Sequence, residues 1–143
     1  MSILTFFSGS YCGKESIISD VIDQSGFKLL SDNDLVASAS RLSGMSEKKI
    51  ARSFLEKTSV FNKFTHEKER SIAYLRLAMA ELISQDNCVI DGLTSLLIPA
   101  SISHVLRICL IADKTFRIEQ AMKAQNLSEK DAVNLISKDD KSY

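Results

Sequence analysis

Cysteine, net charge and long apolar runs are all scarce in this chain, and each scarcity removes a class of protein. There are three cysteines in 143 residues, Cys12, Cys88 and Cys109, an odd number without paired metal-ligand spacing. That argues against a disulfide scaffold or a zinc site and for buried thiols in a reducing cytoplasm. Eighteen basic residues balance eighteen acidic ones, so the formal net charge is zero and no electrostatic footprint for nucleic acid or an anionic membrane exists. The longest apolar run, Val105 to Ala112, is too short to span a membrane and contains Arg107. The N-terminus has no basic region ahead of a long apolar core, so a secretory signal is not indicated. The sole proline, Pro99, falls in a connecting segment. No repeat, low-complexity stretch or linker interrupts the chain. Its 45% apolar and 25% charged residues exclude wholesale disorder. The length suits one domain, residues 1–143, around one core.

What is present is an alternation of short apolar runs with helical periodicity. Ile3 to Phe7, Phe27 to Leu30, Cys88 to Ile90 and Val105 to Ile111 read as strands. Glu15 to Gln24 reads as a helix ended by Gly26, with Ile17, Ile18, Val21 and Ile22 on one face. Asp32-Asn33-Asp34 reads as a turn and N-cap for a helix to Leu42, and Ser46 caps the next, through Ile50 and Leu55. From Thr65 or His66 to Ser84 a stripe of Ile72, Leu75, Met79, Leu82 and Ile83 defines a long helix. Phe116 to Gln125 and Ser128 to Ile136 are two more, the last opening on a Ser128/Asp131 variant of the capping box. Strands alternating with helices predict an α/β fold: a three-layer sandwich with a mostly parallel sheet of four or five strands and helices on both faces.

The first strand runs into Gly9-Ser10-Tyr11-Cys12-Gly13-Lys14-Glu15-Ser16 and then a helix. Strand, small-residue turn and helix is the layout of a phosphate-binding loop, in which backbone N–H groups and the positive helix end hold a polyphosphate. The usual string is G-x-x-x-x-G-K-[ST]. Ser8 stands at its first glycine, and Glu15 separates Lys14 from Ser16. His66 and His104 have no evident nucleophile or metal partner. The cluster Lys63, His66, Lys68 and Arg70 reads as a solvated face, diluted by Glu67 and Glu69.

Four pieces occur in one order: Gly9 to Glu15 after a strand, Leu29 to Val36, Cys88 to Leu93, and Cys109 to Gln120. Together they resemble the cytidylate kinase-like family of P-loop nucleoside monophosphate kinases over most of the chain. The resemblance implies ATP as phosphoryl donor, Mg²⁺, and CMP or another nucleoside monophosphate as acceptor. It implies that Gly9 to Ser16 wrap the donor phosphates, that Lys14 contacts the phosphoryl group, and that Ser16 and Asp91 serve the metal. Arg117 matches a lid arginine, and Asp34 and Arg41 fall in the acceptor segment. Further helix and strand are expected beyond Tyr143, as is room for a homo-oligomer or a partner domain.

The departures are specific. Tyr11 replaces a glycine, so a positive φ there would be costly. Leu93 stands where an acceptor-binding arginine is usual, and the second lid arginine is replaced by Gln120 or Ala121. Three readings follow. One is a phosphotransferase using Lys14, Ser16, Asp91 and Arg117. Another is a degenerate relative acting as a sensory or interaction module. A third is a domain that oligomerises through the apolar helix from Leu75 to Ile83.

Overall fold

The computed structural model describes residues 2–55 and 66–141; Lys63 and the Thr65 helix start lie outside them. Four strands, β1 (Ile3–Ser8), β2 (Lys28–Ser31), β3 (Cys88–Asp91) and β4 (Val105–Leu110), form one sheet in the order β2-β3-β1-β4, with every pair parallel. Among the described residues there are six α-helices: α1 (Lys14–Ser25), α2 (Asp32–Ser43), α3 (Glu47–Leu55), α4 (His66–Ile83), α5 (Lys114–Gln125) and α6 (Glu129–Asp140). The expected α/β fold is therefore observed, with four strands.

The strands' alternation sends side chains to two cores. Ile3, Leu30, Cys88, Ile90 and Val105 join Leu35, Ala39, Ile50, Leu75 and Met79 beneath α2, α3 and α4. Phe6 and Val89 join Ile18, Val21 and Ile22 of α1 on the opposite face. The α4 stripe read as a candidate interface is used internally: Leu75, Ala78, Met79 and Ile83 are all buried. A third, smaller core holds α5 to α6 through Ala121, Ala132 and Ile136, and Tyr11 packs against it. Of the three thiols expected in the interior, only Cys88 is buried. Cys12 is half-buried and Cys109 is exposed, because β4 is an edge strand.

α2 begins two residues earlier than its sequence suggests. Ser31 is the N-cap: its Oγ accepts from Asp34 N at 3.4 Å, while Asp34 Oδ2 accepts from Ser31 N at 2.8 Å and from Ser31 Oγ at 2.7 Å. This reciprocal box satisfies two otherwise orphaned donors. The Ser31 hydroxyl, then its backbone N–H, hold the Asp34 carboxyl below the ordinary carboxylate range. A depressed folded value means the contribution is complete above that range and is lost as pH falls through it. Asp34→Asn is therefore expected to be less stable than the parent at neutral pH by about 0.5–1 kcal/mol, typical of exposed caps. The gap should close as pH falls below the ordinary carboxylate range. Urea unfolding of both proteins across that range checks it; a gap independent of pH would refute the charged cap.

Along the sheet, the chain leaves β1 toward β2 and leaves β3 toward β4, in opposite directions. Adjacent strands with diverging exits leave a crevice at their carboxyl ends, the usual ligand position in open α/β sheets. Here it lies between β1 and β3, whose register sets Phe6 opposite Asp91.

Candidate active site

The loop of residues 9–13 joins β1 to α1 above this crevice. Gly13 is the N-cap of α1 at φ 75°, a left-handed conformation that favours glycine, and it makes no side-chain cap hydrogen bond. The first-turn N–H groups of α1 thus lack a side-chain cap, the arrangement that suits an anion. Tyr11 also has a positive φ, 59°. For an L-residue that costs about 1–2 kcal/mol. Its side chain shows what offsets the cost: the ring packs on the α5–α6 core, and its hydroxyl accepts a hydrogen bond from the Gln125 amide. The residue that breaks the glycine pattern is thereby an anchor between loop and hairpin.

Lys14, the first residue of α1, and Asp91, the last of β3, meet across the crevice. Nζ lies 2.8 Å from Asp91 Oδ1, and each side chain is about a quarter exposed. Beside them is a cleft of ≈220 Å³ lined by Ser8, Lys14, Asp32, Gly92 and Leu93 among others. Asp32 is the site residue that the sequence reading passed over in favour of Asp34. Its Oδ1 accepts from Thr94 N at 2.9 Å and Thr94 Oγ1 at 2.6 Å, and its Oδ2 from Leu93 N at 3.1 Å. This ties the start of α2 to the 3₁₀ turn Leu93–Leu97, which the sequence did not announce. The available signal was positional: Asp32 directly follows β2, whose Ser31 is in register with Asp91.

Arg117 reaches back to the loop. Its Nε donates to Ser10 O at 2.8 Å and its Nη2 to Ser10 Oγ at 3.2 Å. The same guanidinium grips Asp140 through Nη2–Oδ1 at 2.7 Å and Nη1–Oδ2 at 3.2 Å. The Asp140 carboxylate pushes the already high Arg117 value further up, and Arg117 holds the Asp140 carboxyl down. On this outer side of the loop, a second cleft of ≈400 Å³ has Ser10, Tyr11, Gly13, Glu15, Gln120 and Asp139 in its walls.

The structure thus brings Gly9 to Lys14, Asp91 and Arg117 around one loop. Ser16 is exposed on the first turn of α1. Asp34 is engaged in its cap, and Arg41 is exposed in the last turn of α2, roughly 13 Å down the helix from Asp32 at 1.5 Å per residue. Of the two positions weighed for a second lid arginine, Gln120 lines the outer cleft and Ala121 is fully buried. Among the described residues, no cluster of three or more His, Cys, Asp or Glu could hold a metal ion by itself. No helix among them is long and apolar enough to cross a membrane.

Fold and site define a class: parallel α/β proteins with a strand, a glycine-containing loop and a helix at the sheet's switch point. Within that class the chain belongs to the cytidylate kinase-like family, whose model matches residues 3–143. A crystal structure of an uncharacterized protein from Eubacterium ventriosum ATCC 27560 superposes with a TM-score of 0.67 at 18% identity, covering 99% of this chain and 74% of that one. TT1252 from Thermus thermophilus superposes at 0.51 with 16% identity, covering 93% of this chain and 77% of that one. At such identities the likeness concerns the fold. No curated protein matches the sequence.

Proposed function

We propose that the chain binds the polyphosphate of ATP on the loop of residues 9–13 and transfers its γ-phosphoryl group to a nucleoside monophosphate, CMP being the first to try. The observation that carries this reading is the Lys14–Asp91 pair, 2.8 Å apart beside the uncapped start of α1. An ammonium has three donors, so ligand oxygens can join Asp91 around Lys14 without displacing it. Charge on the transferring group would be met by Lys14, the first-turn N–H groups of α1 and Arg117, and catalysis would consist of positioning and electrostatics.

Mg²⁺ suits this donor set in a limited way. It commonly relies on one or two carboxylates, with phosphates and waters completing its shell. Asp32 is committed to residues 93 and 94, which leaves Asp91, with the Ser16 hydroxyl, to receive an ion carried in on the nucleotide. The ion would neutralise phosphate charge.

A second reading, nucleotide binding without turnover, draws on Leu93, Gln120 and the engagement of Arg117 by Asp140. An arginine finger contributes about 10³–10⁵ in rate, and Arg117 is the lid arginine that this sequence keeps. Calorimetry with ATP plus Mg²⁺ and with CMP, followed by ADP assays, separates the readings. Saturable heat weakened at least tenfold in Lys14→Ala, with CMP-dependent ADP formation, is the expected result. Heat without ADP supports the second reading. No heat from folded protein refutes both.

A further inference from the structure

We propose that Asp140 is the resident anion of an oxyanion site formed by Arg117 and Ser10, and that a phosphate group of the bound ligand takes its place. The inference rests on the reading of the loop as a polyphosphate site and names a control built into it.

The geometry separates two jobs of one side chain. Arg117 Nε donates to the Ser10 carbonyl, which anchors the arginine to the loop. Its Nη edge faces outward and is bridged by both oxygens of Asp140, at 2.7 and 3.2 Å. A guanidinium edge and a carboxylate form the same planar fork that a guanidinium forms with phosphate. Nη2 is shared between Ser10 Oγ and Asp140 Oδ1. An oxygen at the Oδ1 position therefore sits beside the loop hydroxyl, where a loop-bound anion would also be held.

The place of Asp140 in its helix points the same way. It is the last residue of α6, after Asp139. Carboxylates are disfavoured at a helix C-terminus, where the backbone dipole is already negative. Arg117 supplies the compensation. The Arg117 side chain is 13% exposed and that of Asp140 51%, so the acid is the half of the pair that can swing into water. The Nε anchor keeps the arginine in place when it does. Ligand binding would then exchange one anion for another on a fixed cation, and the α5–α6 hairpin would report whether the loop is filled.

The test is titration of the chain with inorganic tripolyphosphate and with ATP, at low salt, for the parent and for Asp140→Asn, Asp140→Ala, Arg117→Ala and Lys14→Ala, with thermal unfolding of the same samples. Removing the competing charge should tighten binding in both Asp140 variants by roughly two- to fivefold, the scale of an exposed pair, even where the melting temperature falls. Arg117→Ala should bind more weakly than the parent. Unchanged or weaker binding in both Asp140 variants would overturn the proposal and leave Asp140 a structural tie. If that occurs while Lys14→Ala abolishes binding, the loop reading survives alone. If Lys14→Ala binds like the parent while the Asp140 variants bind more tightly, the exchange at Arg117 stands and the role of Lys14 falls. Folded protein that binds neither probe in any variant overturns both.

Discussion

Replacing Gly92 by alanine should lower stability by about 3–5 kcal/mol, one of the largest effects of any single methyl group in this chain. Gly92 has φ 131° and ψ −175°, backbone that side-chain-bearing residues almost never adopt. A Cβ there would fall 2.3 Å from Asp32 Oδ1 and 2.4 Å from its Cγ and Oδ2. The carboxylate cannot easily step aside, because Leu93 N, Thr94 N and Thr94 Oγ1 hold it. Backbone strain of about 1–3 kcal/mol adds to the hydrogen bonds lost when Asp32 is expelled, each about 1–3 kcal/mol when a donor is left buried. For a domain of this size the melting temperature should drop by about 10 °C or more. A shift below about 2 °C would mean that Asp32 does not press on Gly92 as described.

Asp32→Ala should cost about 2–4 kcal/mol from the other side of the same contact. It leaves two backbone N–H groups and a fully buried threonine hydroxyl without their acceptor. Water entering the adjacent cleft keeps the figure below the sum of three separate losses. Asp32→Asn should fall between, since one oxygen remains while the amide turns a donor toward donors. The two sites are coupled: Gly92→Ala should do less harm in an Asp32→Ala background than in the parent, because the clash has been removed. Chemical unfolding of the four proteins of that cycle gives the coupling energy, and additivity within about 0.5 kcal/mol would contradict a direct contact.

These residues also mark where sequence reasoning reached and where it stopped. The four strands were legible because each is a short, nearly continuous apolar run, as a sheet covered on both faces requires. The loop was legible because glycine, lysine and a helix start follow a strand in the order that phosphate chemistry uses. Asp32 was not, since an Asp-Asn-Asp triplet carries the same local turn chemistry whichever acid reaches across the sheet. What separates the acids is the backbone: Asp34 folds back on Ser31, and Asp32 points to a turn 61 and 62 positions later. Tyr11 reads as a defect because its partners, Gln125 and the α5–α6 core, are remote in sequence. The exposure of Cys109 follows from strand order, which composition does not encode.

The attachment of the loop to α5 and α6 has a consequence for the order of events in folding. The groups that fix the loop's shape come 107 and 114 positions after it. Bringing such distant segments together carries the entropy of closing a long loop, so these contacts belong among the late ones to form. On a ribosome, the glycine-containing turn would emerge more than a hundred residues ahead of Arg117, Gln125 and Asp140 and remain without them until they followed. The loop would thus be synthesised well before the residues that hold it, and would take its final form only when they dock.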